Sequence, residues 1–420
     1  MFILVYDKYI FNNGYRRIII LYTMMEETTN INKENIHFEL DNTPPTKEIN
    51  DWEDLDIKPE LLRGIFAYGF EKPSNIQKKA IPPMLALNDT IGQAQSGTGK
   101  TATFGISTLQ LIDVTKRCTQ ALIIAPTHEL AKQSAHVISK IGDFMEGLVV
   151  KTILGGTSIK DDAAEIKENT PHIIVGCAGR VFDMIQRNYI DTNQIILFVL
   201  DEADELLSTG FKPQIHNIFR CLSNTKLQVA IFSATMSPDM LELTNKFMKN
   251  PVKIIMKPEE LTLECIKQEF IALENDHAKY DAIKQLFALI SANQSIIFCN
   301  SVNRVVDLYN AMTDEGFSVC AIHSSMSKYD REYTLKQFRT GTFRVLISSN
   351  VTARGIDVQQ VSTVINFDIP KDYHVYLHRI GRSGRHGRKG NAINFVTRYD
   401  VRLMQDIEKY YGTIITEFKQ

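Results

Sequence analysis

Short apolar runs alternate with longer segments of mixed polarity from Asp51 to the end of the chain. Alternation of this kind predicts parallel β-sheets covered by α-helices. The runs form two series, separated by a charged, proline-containing stretch around Asn250–Glu264. The first series comprises Asp89–Gln93, Ala121–Ala125, Val149–Leu154, His172–Gly176, Ile195–Leu200, Gln228–Phe232 and Val252–Met256. The second comprises Gln268–Ala272, Ser295–Cys299, Ser318–Ile322, Arg344–Ser348, Thr363–Phe367 and Ala392–Val396.

The two series predict two α/β domains of similar size. We expect the first domain at residues 51–250, a linker at 251–264 and the second domain at 265–420. A last helix is predicted over Asp400–Tyr411, close to the C-terminus.

The first 50 residues predict a poorly ordered extension. Two apolar runs, Phe2–Tyr6 and Ile18–Tyr22, are far shorter than the roughly 20 residues of a membrane span. The signal-peptide pattern also fits poorly, so we favour an appended or mis-assigned start, with Met24 or Met25 as the true one, over a targeting segment. The polar stretch Glu26–Asn50 is typical of disordered chain.

The composition is that of an ordinary globular protein, with 44% hydrophobic and 23% charged residues among 420. The net charge is −2, so any nucleic-acid site must be a local basic patch. The six cysteines include no C-x-x-C pair, which favours reduced thiols over a zinc site or a disulfide framework.

One strand–helix connection is rich in glycine. The sequence Ala94-Gln-Ser-Gly-Thr-Gly-Lys-Thr101 follows the first apolar run and precedes a helical pattern over Ala102–Asp113. Backbone N–H groups of such a loop, together with a helix N-terminus, bind phosphate. Lys100 is expected to reach the β- and γ-phosphates and Thr101 to hold Mg²⁺. The predicted cradle consists of Ser96, Gly97, Thr98, Gly99, Lys100 and Thr101, and the simpler alternative is a small-residue turn.

A group of carboxylates follows a buried strand pattern. Asp201-Glu-Ala-Asp204 comes directly after Ile195–Leu200, at the strand end where open α/β sheets bind ligands. We expect Asp201 to hold Mg²⁺, through water, and Glu202 to orient and deprotonate an attacking water. The alternative is an acidic helix start, since acidic residues favour the first turn of a helix.

Together, the glycine loop and this tetrapeptide resemble the DEAD-box RNA helicase family, and the resemblance extends from about Trp52 to the C-terminus. Gly69-Phe-Glu-Lys-Pro73 and Gln77 are similar to the motif that reads adenine in the family. The resemblance therefore implies that Phe70 and Gln77 bind the base of ATP, and glutamine can pair with both the amino group and N7 of adenine. Trp52 occupies the position of a family aromatic and either stacks on the base or belongs to the core.

The family resemblance implies two RecA-like domains, with ATP and RNA bound across the cleft between them. Ser233-Ala-Thr235 is similar to the motif that links the ATP state to the RNA state, together with Asp204 and His378. His378–Arg385 is similar to the last family motif. By this resemblance Arg382 and Arg385 stabilise charge on the γ-phosphate, and Asp357 contacts the ribose.

On the RNA side the resemblance implies contacts to the sugar–phosphate backbone, which position a strand without reading its sequence. The implied RNA-binding residues are Pro126, Thr127, Gly155, Gly156, Gly179, Arg180, Arg339, Arg354 and Gly355.

Several positions depart from the family's RNA motifs. His128 replaces an arginine, Cys177-Ala178 replaces Thr-Pro, Ser324-Ser325 replaces Gly-Asp and Ser349-Asn350 replaces Thr-Asp. Because histidine is mostly neutral near pH 7 and a thiol is a weak donor, one hypothesis is weakened RNA binding beside an intact ATP site. If backbone N–H groups carry these contacts, the changes have no effect.

Within the family, the sequence is most similar to translation initiation factor 4A and its exon-junction and nucleolar relatives, for example at Leu61–Ile65 and Ala353–Val361. This implies a monomeric cytoplasmic enzyme that hydrolyses ATP with Mg²⁺ and locally unwinds short RNA duplexes in translation initiation. The implied partner is a helical-repeat scaffold of the initiation factor 4G type. The alternatives are an ATP-gated RNA clamp in an exon-junction or ribosome-assembly complex, with a nuclear location possible for those roles, and a remodelling NTPase with decayed helicase activity.

Overall fold

The structure is a computed structural model that describes residues 49–94, 97–207, 211–222, 224–236, 240, 244, 247–255, 266–350, 361–383 and 389–419. These residues form two compact units, one on each side of residues 256–265. The predicted N-terminal extension lies outside the described residues, except for residues 49 and 50. Within the described part of the chain, no helix is long and apolar enough to cross a membrane.

The first unit contains a seven-stranded parallel sheet in the order β3-β4-β2-β5-β6-β1-β7. Its strands are four to six residues long, and the five inner strands are fully buried, as expected for a sheet covered on both faces. They are β1 (Thr90–Gln93), β2 (Ala121–Ile124), β3 (Val150–Ile153), β4 (Ile173–Gly176), β5 (Leu197–Asp201), β6 (Gln228–Ser233) and β7 (Val252–Ile255).

Helices cover both faces of this sheet, and the strands supply a core to each. Alternate strand residues enter opposite cores, with Ile123, Val199 and Phe232 on one side and Leu122, Phe198 and Ile231 on the other. The helices are α1 (Pro59–Ala67), α2 (Asn75–Leu85), α3 (Lys100–Leu111), α4 (His128–Ile141), α5 (Ile159–Glu168), α6 (Ala178–Gln186), α7 (Ala203–Leu206) and α8 (Lys212–Cys221).

The second unit repeats the same topology. Its parallel sheet has the order β10-β11-β9-β12-β13-β8-β14, which is the order of the first sheet when each is numbered from its own first strand. The strands are β8 (Ile266–Ala272), β9 (Gln294–Phe298), β10 (Val319–Ile322), β11 (Val345–Ser348), β12 (Val361–Asn366), β13 (Gly390–Val396) and β14 (Thr416–Glu417). The helices are α9 (Asp276–Ser291), α10 (Val302–Asp314), α11 (Lys328–Arg339), α12 (Tyr373–Ile380) and α13 (Val401–Tyr411).

The predicted α/β class, with a parallel sheet in each of two domains, is confirmed. The predicted linker at 251–264 begins too early, because Val252–Ile255 forms β7 and pairs with Thr90–Gln93 of β1. The short strand Thr416–Glu417 was not predicted; it pairs with β8 and completes the second sheet.

Candidate active site and RNA-binding surface

The glycine loop lies between β1 and α3, at the carboxyl edge of the first sheet. Gly97 and Gly99 have φ values of 88° and 103°, a backbone region that favours glycine. At Gly99 a Cβ would lie only 2.7 Å from Nε2 of Gln77, so the close packing of the adenine-motif glutamine against the loop also requires glycine. Helix α3 begins at Lys100, which directs its N-terminus toward the loop. Gln95 and Ser96 lie outside the described residues.

Lys100 carries a buried ammonium group within this edge. Its Nζ donates a hydrogen bond of 2.9 Å to the Ala94 carbonyl and lies 3.5 Å from Oε1 of Glu202. The side chains of Lys100 and Glu202 are only 6% and 5% exposed. The ion pair therefore joins the glycine loop to the carboxylates that follow β5.

The two carboxylates stand on a tightly turned backbone. Asp201 ends β5, and its Oδ1 and Oδ2 accept hydrogen bonds from the Glu202 N–H (3.0 Å) and the Ser134 hydroxyl (3.3 Å). Glu202 has φ 49° and ψ 53°, a left-handed conformation that is uncommon for a residue other than glycine and recurs at functional sites. Burial, and next the charge of Glu202, raises the pKa of the Asp201 carboxyl, while Lys100 opposes this shift. Two carboxylates thus share one buried ammonium.

The predicted coupling residues of the first domain meet directly. The Thr235 hydroxyl donates to Oδ2 of Asp204 at 2.8 Å, and the Ser233 hydroxyl accepts from the Asp204 N–H at 3.3 Å. The end of β6 is therefore joined to the start of α7. In the second domain His378 is buried in α12, and its carbonyl accepts a 3.1 Å bond from Nε of Arg382, which is also buried.

The adenine motif is held by the preceding 3₁₀ turn, Trp52–Asp54. Trp52 is fully buried, and its Nε1 donates to the Phe70 carbonyl at 3.0 Å. This geometry favours the core interpretation of Trp52 over direct stacking on a base, because its ring faces have no exposed surface. The Phe70 ring is half-buried and lies 5.0 Å from that of Tyr68. Oε1 of Gln77 accepts from the Ser74 N–H at 2.6 Å.

Several predicted RNA residues of the first domain lie in two loops, the one between β2 and α4 and the one between β3 and α5. Thr127 caps α4 by accepting from the Leu130 N–H at 3.2 Å, and Pro126 before it is buried. The His128 ring packs against Gly155, where a Cβ would lie 3.4 Å from its Nε2. The residue that replaces the family arginine therefore contacts the Gly155-Gly156 loop.

Arg180 is engaged within the protein. It forms a 2.8 Å ion pair with Asp162 and donates to the carbonyl (2.8 Å) and hydroxyl (3.0 Å) of Thr157. Its side chain is 10% exposed. Because Thr157 follows Gly156 directly, the geometry favours a role for Arg180 in positioning that loop.

The other predicted RNA residues vary in their surroundings. Gly179 is exposed in the first turn of α6, whose N-cap Cys177 makes no capping hydrogen bond through its side chain. Arg339 is exposed in the last turn of α11. Arg354 and Gly355 lie outside the described residues, as do Asp357 and Arg385 of the predicted nucleotide site.

Comparison with known families identifies both domains. Residues 74–243 match the model for the DEAD/DEAH box helicase, and residues 278–387 match the helicase conserved C-terminal domain. The chain is 53% identical over 366 residues to the ATP-dependent RNA helicase eIF4A of Lodderomyces elongisporus, covering 87% of this chain and 91% of that protein. The chain belongs to the DEAD-box helicase family. The predicted family and enzyme class, an ATP-dependent RNA helicase, are confirmed.

Further relatives extend this likeness to the fold. The eIF4A of Neurospora crassa is 51% identical over 369 residues, 88% of this helicase and 92% of that protein. Dbp5 of S. cerevisiae, solved with RNA and ADP BeF3, has a TM-score of 0.81 and 34% identity over 88% of this chain and 95% of its own. Mss116p, solved with ssRNA and AMP-PNP, has a TM-score of 0.80 and 26% identity over 89% and 80%. The predicted tandem RecA-like fold is confirmed.

The residues of this DEAD-box site suit the predicted nucleotide and Mg²⁺. A carboxylate and a hydroxyl, from Asp201 and the half-buried Thr101, are the hard oxygen donors that Mg²⁺ prefers. A divalent cation would also stabilise the charged form of Asp201 and so oppose the upward shift of its pKa. Lys100, Gly97 and Gly99 supply the positive charge and the open backbone that a phosphate requires.

Two residues that support the candidate site, Ser134 and Arg379, were not predicted from the sequence. Ser134 holds Asp201, but nothing in the local sequence distinguishes it from other buried residues of α4. Arg379 lies within the last motif and is fully buried. Its guanidinium donates to three side-chain amide oxygens and two carbonyls, those of Asn300, Asn350, Asn366, Cys299 and Asp368. The replacement of a family aspartate by Asn350 was the one sequence feature that could have indicated this network.

Proposed function

We propose that this helicase is of the eIF4A type and acts in translation initiation, binding single-stranded RNA and separating short duplexes with ATP hydrolysis. The observation that carries the proposal is the buried ion pair of Lys100 and Glu202, 3.5 Å apart, beside Asp201. It supports the proposal because a cation suited to bind phosphate and a carboxylate suited to act as base lie at one sheet edge, in a chain whose relatives are named ATP-dependent RNA helicases.

Each group at this edge has a distinct task. Gly97, Gly99 and Lys100 would bind the phosphates, and Thr101 and Asp201 would hold Mg²⁺. When bound, the metal neutralises charge that develops on the phosphate oxygens. Glu202 accepts the proton of the attacking water, and its left-handed backbone together with Lys100 fixes the position of its carboxylate.

The hydroxyl bridge between Asp204 and Thr235 supports a link from ATP to RNA. A shift of the segment after β5 would be transmitted to the end of β6 through this 2.8 Å bond. From the second domain, Arg382 and Arg385 are proposed to supply positive charge to the γ-phosphate, a contribution of about 10³–10⁵ in rate for arginines of this kind. Phe70 and Gln77 are proposed to bind the base, and Asp357 the ribose.

On the RNA side, Pro126, Thr127, Gly155, Gly156 and Gly179 are proposed to contact the backbone of the strand. Arg180 would hold the loop that presents the two neighbouring glycines, through Thr157. In the second domain, Arg339, Arg354 and Gly355 are proposed to contact the RNA backbone. A helical-repeat scaffold of the initiation factor 4G type and a cytoplasmic location are proposed from the likeness to eIF4A proteins.

Replacement Glu202→Gln tests the proposal. The amide preserves shape but accepts no proton, so ATP turnover should fall by about 10²–10⁴ while binding of ATP persists. RNA-stimulated ATPase activity and binding of a fluorescent ATP analogue measure the two effects. The matched control is Glu168→Gln, an exposed glutamate of α5.

Normal turnover in Glu202→Gln would show that another group is the base. Strand displacement of a short RNA duplex by the wild-type chain separates the helicase from an ATP-gated clamp. A clamp would hold RNA in the presence of ATP without displacing the second strand.

A further inference from the structure

Two exposed tyrosines lie on one face of helix α11. Tyr329 and Tyr333 are four residues apart, so their side chains are neighbours on the helix surface. They are 75% and 55% exposed, whereas the buried side of the helix is formed by Leu335 and Phe338. Their ring centroids are 6.5 Å apart and their planes are only 12° from parallel. The planes of the two rings are therefore nearly parallel, and both side chains are largely exposed.

This pair lies near the carboxyl edge of the second sheet. Strand β10 ends at Ile322, which pairs in parallel with Ser348 at the end of β11. Helix α11 begins six residues after Ile322, capped by Ser327, which accepts from the Asp330 N–H at 3.1 Å. Carboxyl edges of this kind are where open α/β sheets bind ligands. The segment that follows β11 carries Arg354 and Gly355, which are proposed to bind RNA.

The charges of α11 suit an anionic ligand. The helix carries four basic residues (Lys328, Arg331, Lys336 and Arg339) and two acidic ones (Asp330 and Glu332), and Arg339 is itself a proposed RNA residue. Lys336 and Arg339 are exposed, as are the two acidic residues, and the Asp330 carboxylate accepts from the Ser327 hydroxyl at 2.6 Å. Exposed aromatic rings beside basic side chains are typical of surfaces that bind single-stranded nucleic acid.

We propose that Tyr329 and Tyr333 form a stacking platform for bases of the single-stranded RNA. The inference rests on the proposed helicase function and adds a contact to the bases, beyond the proposed contacts to the backbone. Every base has a π-face, so the platform binds without sequence preference. Because stacking neutralises no phosphate, this part of the affinity depends little on salt. It would offset the permanent charge that is lost where His128 replaces an arginine.

The test compares three variants of the full chain with the wild type. They are the double replacement of both tyrosines by alanine, the double replacement by phenylalanine, and Tyr399→Ala as control. Tyr399 is 77% exposed in the same domain and lies on another segment. Fluorescence anisotropy measures binding of a labelled oligouridine with a non-hydrolysable ATP analogue, at several KCl concentrations. An abasic strand of equal length serves as the second ligand.

The double alanine variant should bind oligouridine at least about fivefold more weakly, since each stacked base contributes roughly 1 kcal/mol or more. The slope of affinity against salt should stay unchanged, as should binding of the abasic strand. Phenylalanine at both positions should preserve the wild-type affinity, because the ring and not the hydroxyl stacks. Tyr399→Ala should behave as the wild type.

Unchanged oligouridine binding by the double alanine variant would overturn the platform, and so would an equal loss on the abasic strand. Both results leave the proposed helicase function intact. If the wild-type chain bound neither strand, the RNA helicase function would fail and the platform with it. Thermal melting of each variant verifies that these exposed replacements leave the fold unchanged.

Discussion

The first and second sheets share one strand order, yet the charges at their carboxyl edges are balanced in different ways. In the first sheet, the end of β5 places Asp201 and Glu202 beside the single ammonium of Lys100. All three side chains are buried, and the pKa of Asp201 is raised by burial and by its neighbour's charge. This edge has an excess of negative charge that suits a bound cation.

At the corresponding end of β12, charges are paired within the protein. The Asp368 carboxylate accepts from Lys279 at 3.1 Å and from Arg304 at 2.7 Å, and Arg304 also pairs with Asp276. The guanidinium of Arg304 lies 5.1 Å from the centre of the Phe367 ring. Two cations and two anions thus satisfy one another.

The difference shows how one topology serves two purposes. The edge with unbalanced charge suits the proposed ATP and Mg²⁺, whereas the balanced edge precedes α12, which carries His378. Buried charge that is left uncompensated costs stability and is retained at functional sites.

Asp201→Asn is the strongest test of the unbalanced edge. The asparagine cannot supply a charged ligand, so Mg²⁺-dependent ATP turnover should fall about a hundredfold or more, since a bound metal contributes several kcal/mol. Without Mg²⁺ the same variant should be more stable than the wild type at about pH 8. A raised carboxyl pKa means that the wild-type fold loses stability as pH rises from the ordinary value of 3.8 through the raised value.

Thermal melting in EDTA at about pH 8 and about pH 5.5 measures this stability difference, which should shrink at the lower pH. Adding Mg²⁺ and ATP should stabilise the wild type and have little effect on the variant. A variant that melts below the wild type in EDTA at both pH values would show that Asp201 is not destabilised by its surroundings.

Arg379→Met tests the second domain's edge. The change leaves five oxygen acceptors without this donor, and three of them belong to the buried residues Cys299, Asn366 and Asp368, so we expect a loss of about 3 kcal/mol or more in the free energy of unfolding. Urea unfolding of the full chain measures the loss, and limited proteolysis identifies the domain that opens first.

The matched control is Arg344→Met, because Arg344 is exposed and its guanidinium donates, within the described part of the chain, a single bond to the Ala292 carbonyl. It should change stability by about 0.5 kcal/mol or less. Equal effects of the two replacements would contradict a special role for the buried guanidinium.

Most strands of both sheets could be predicted from the sequence, because strands buried on both faces are nearly continuous apolar runs. Predicted and observed bounds of β2, for example, differ by one residue, at Ala125. The strand Thr416–Glu417 could not be found, since two polar residues form no pattern and pairing with β8 defines them. Val252–Met256 was predicted as the last apolar run of the first series, but the predicted linker 251–264 overlapped it and therefore began too early.

The candidate site was predictable where a motif is local. The glycine loop and the carboxylates are contiguous stretches with a known chemistry, and the structure brings Lys100 and Glu202 together. Contacts between distant segments were not predictable, because Arg180 and Arg379 find partners that only the fold brings near. The burial of Trp52 likewise depends on how its 3₁₀ turn packs.

Asn350→Asp tests, with the smallest expected effect, how charge is balanced at the edge of the second sheet. Oδ1 of Asn350 accepts from Nε and Nη2 of Arg379 at 3.0 and 2.5 Å, and burial lowers the pKa of Arg379 to about 10. A carboxylate at this exposed position keeps both bonds and adds charge, so we expect a gain of about 1 kcal/mol at neutral pH. Asn350→Ala removes the acceptor and should lose about as much. Thermal melting measures both, and a destabilised aspartate variant would mean that Asp368 already balances the guanidinium through space.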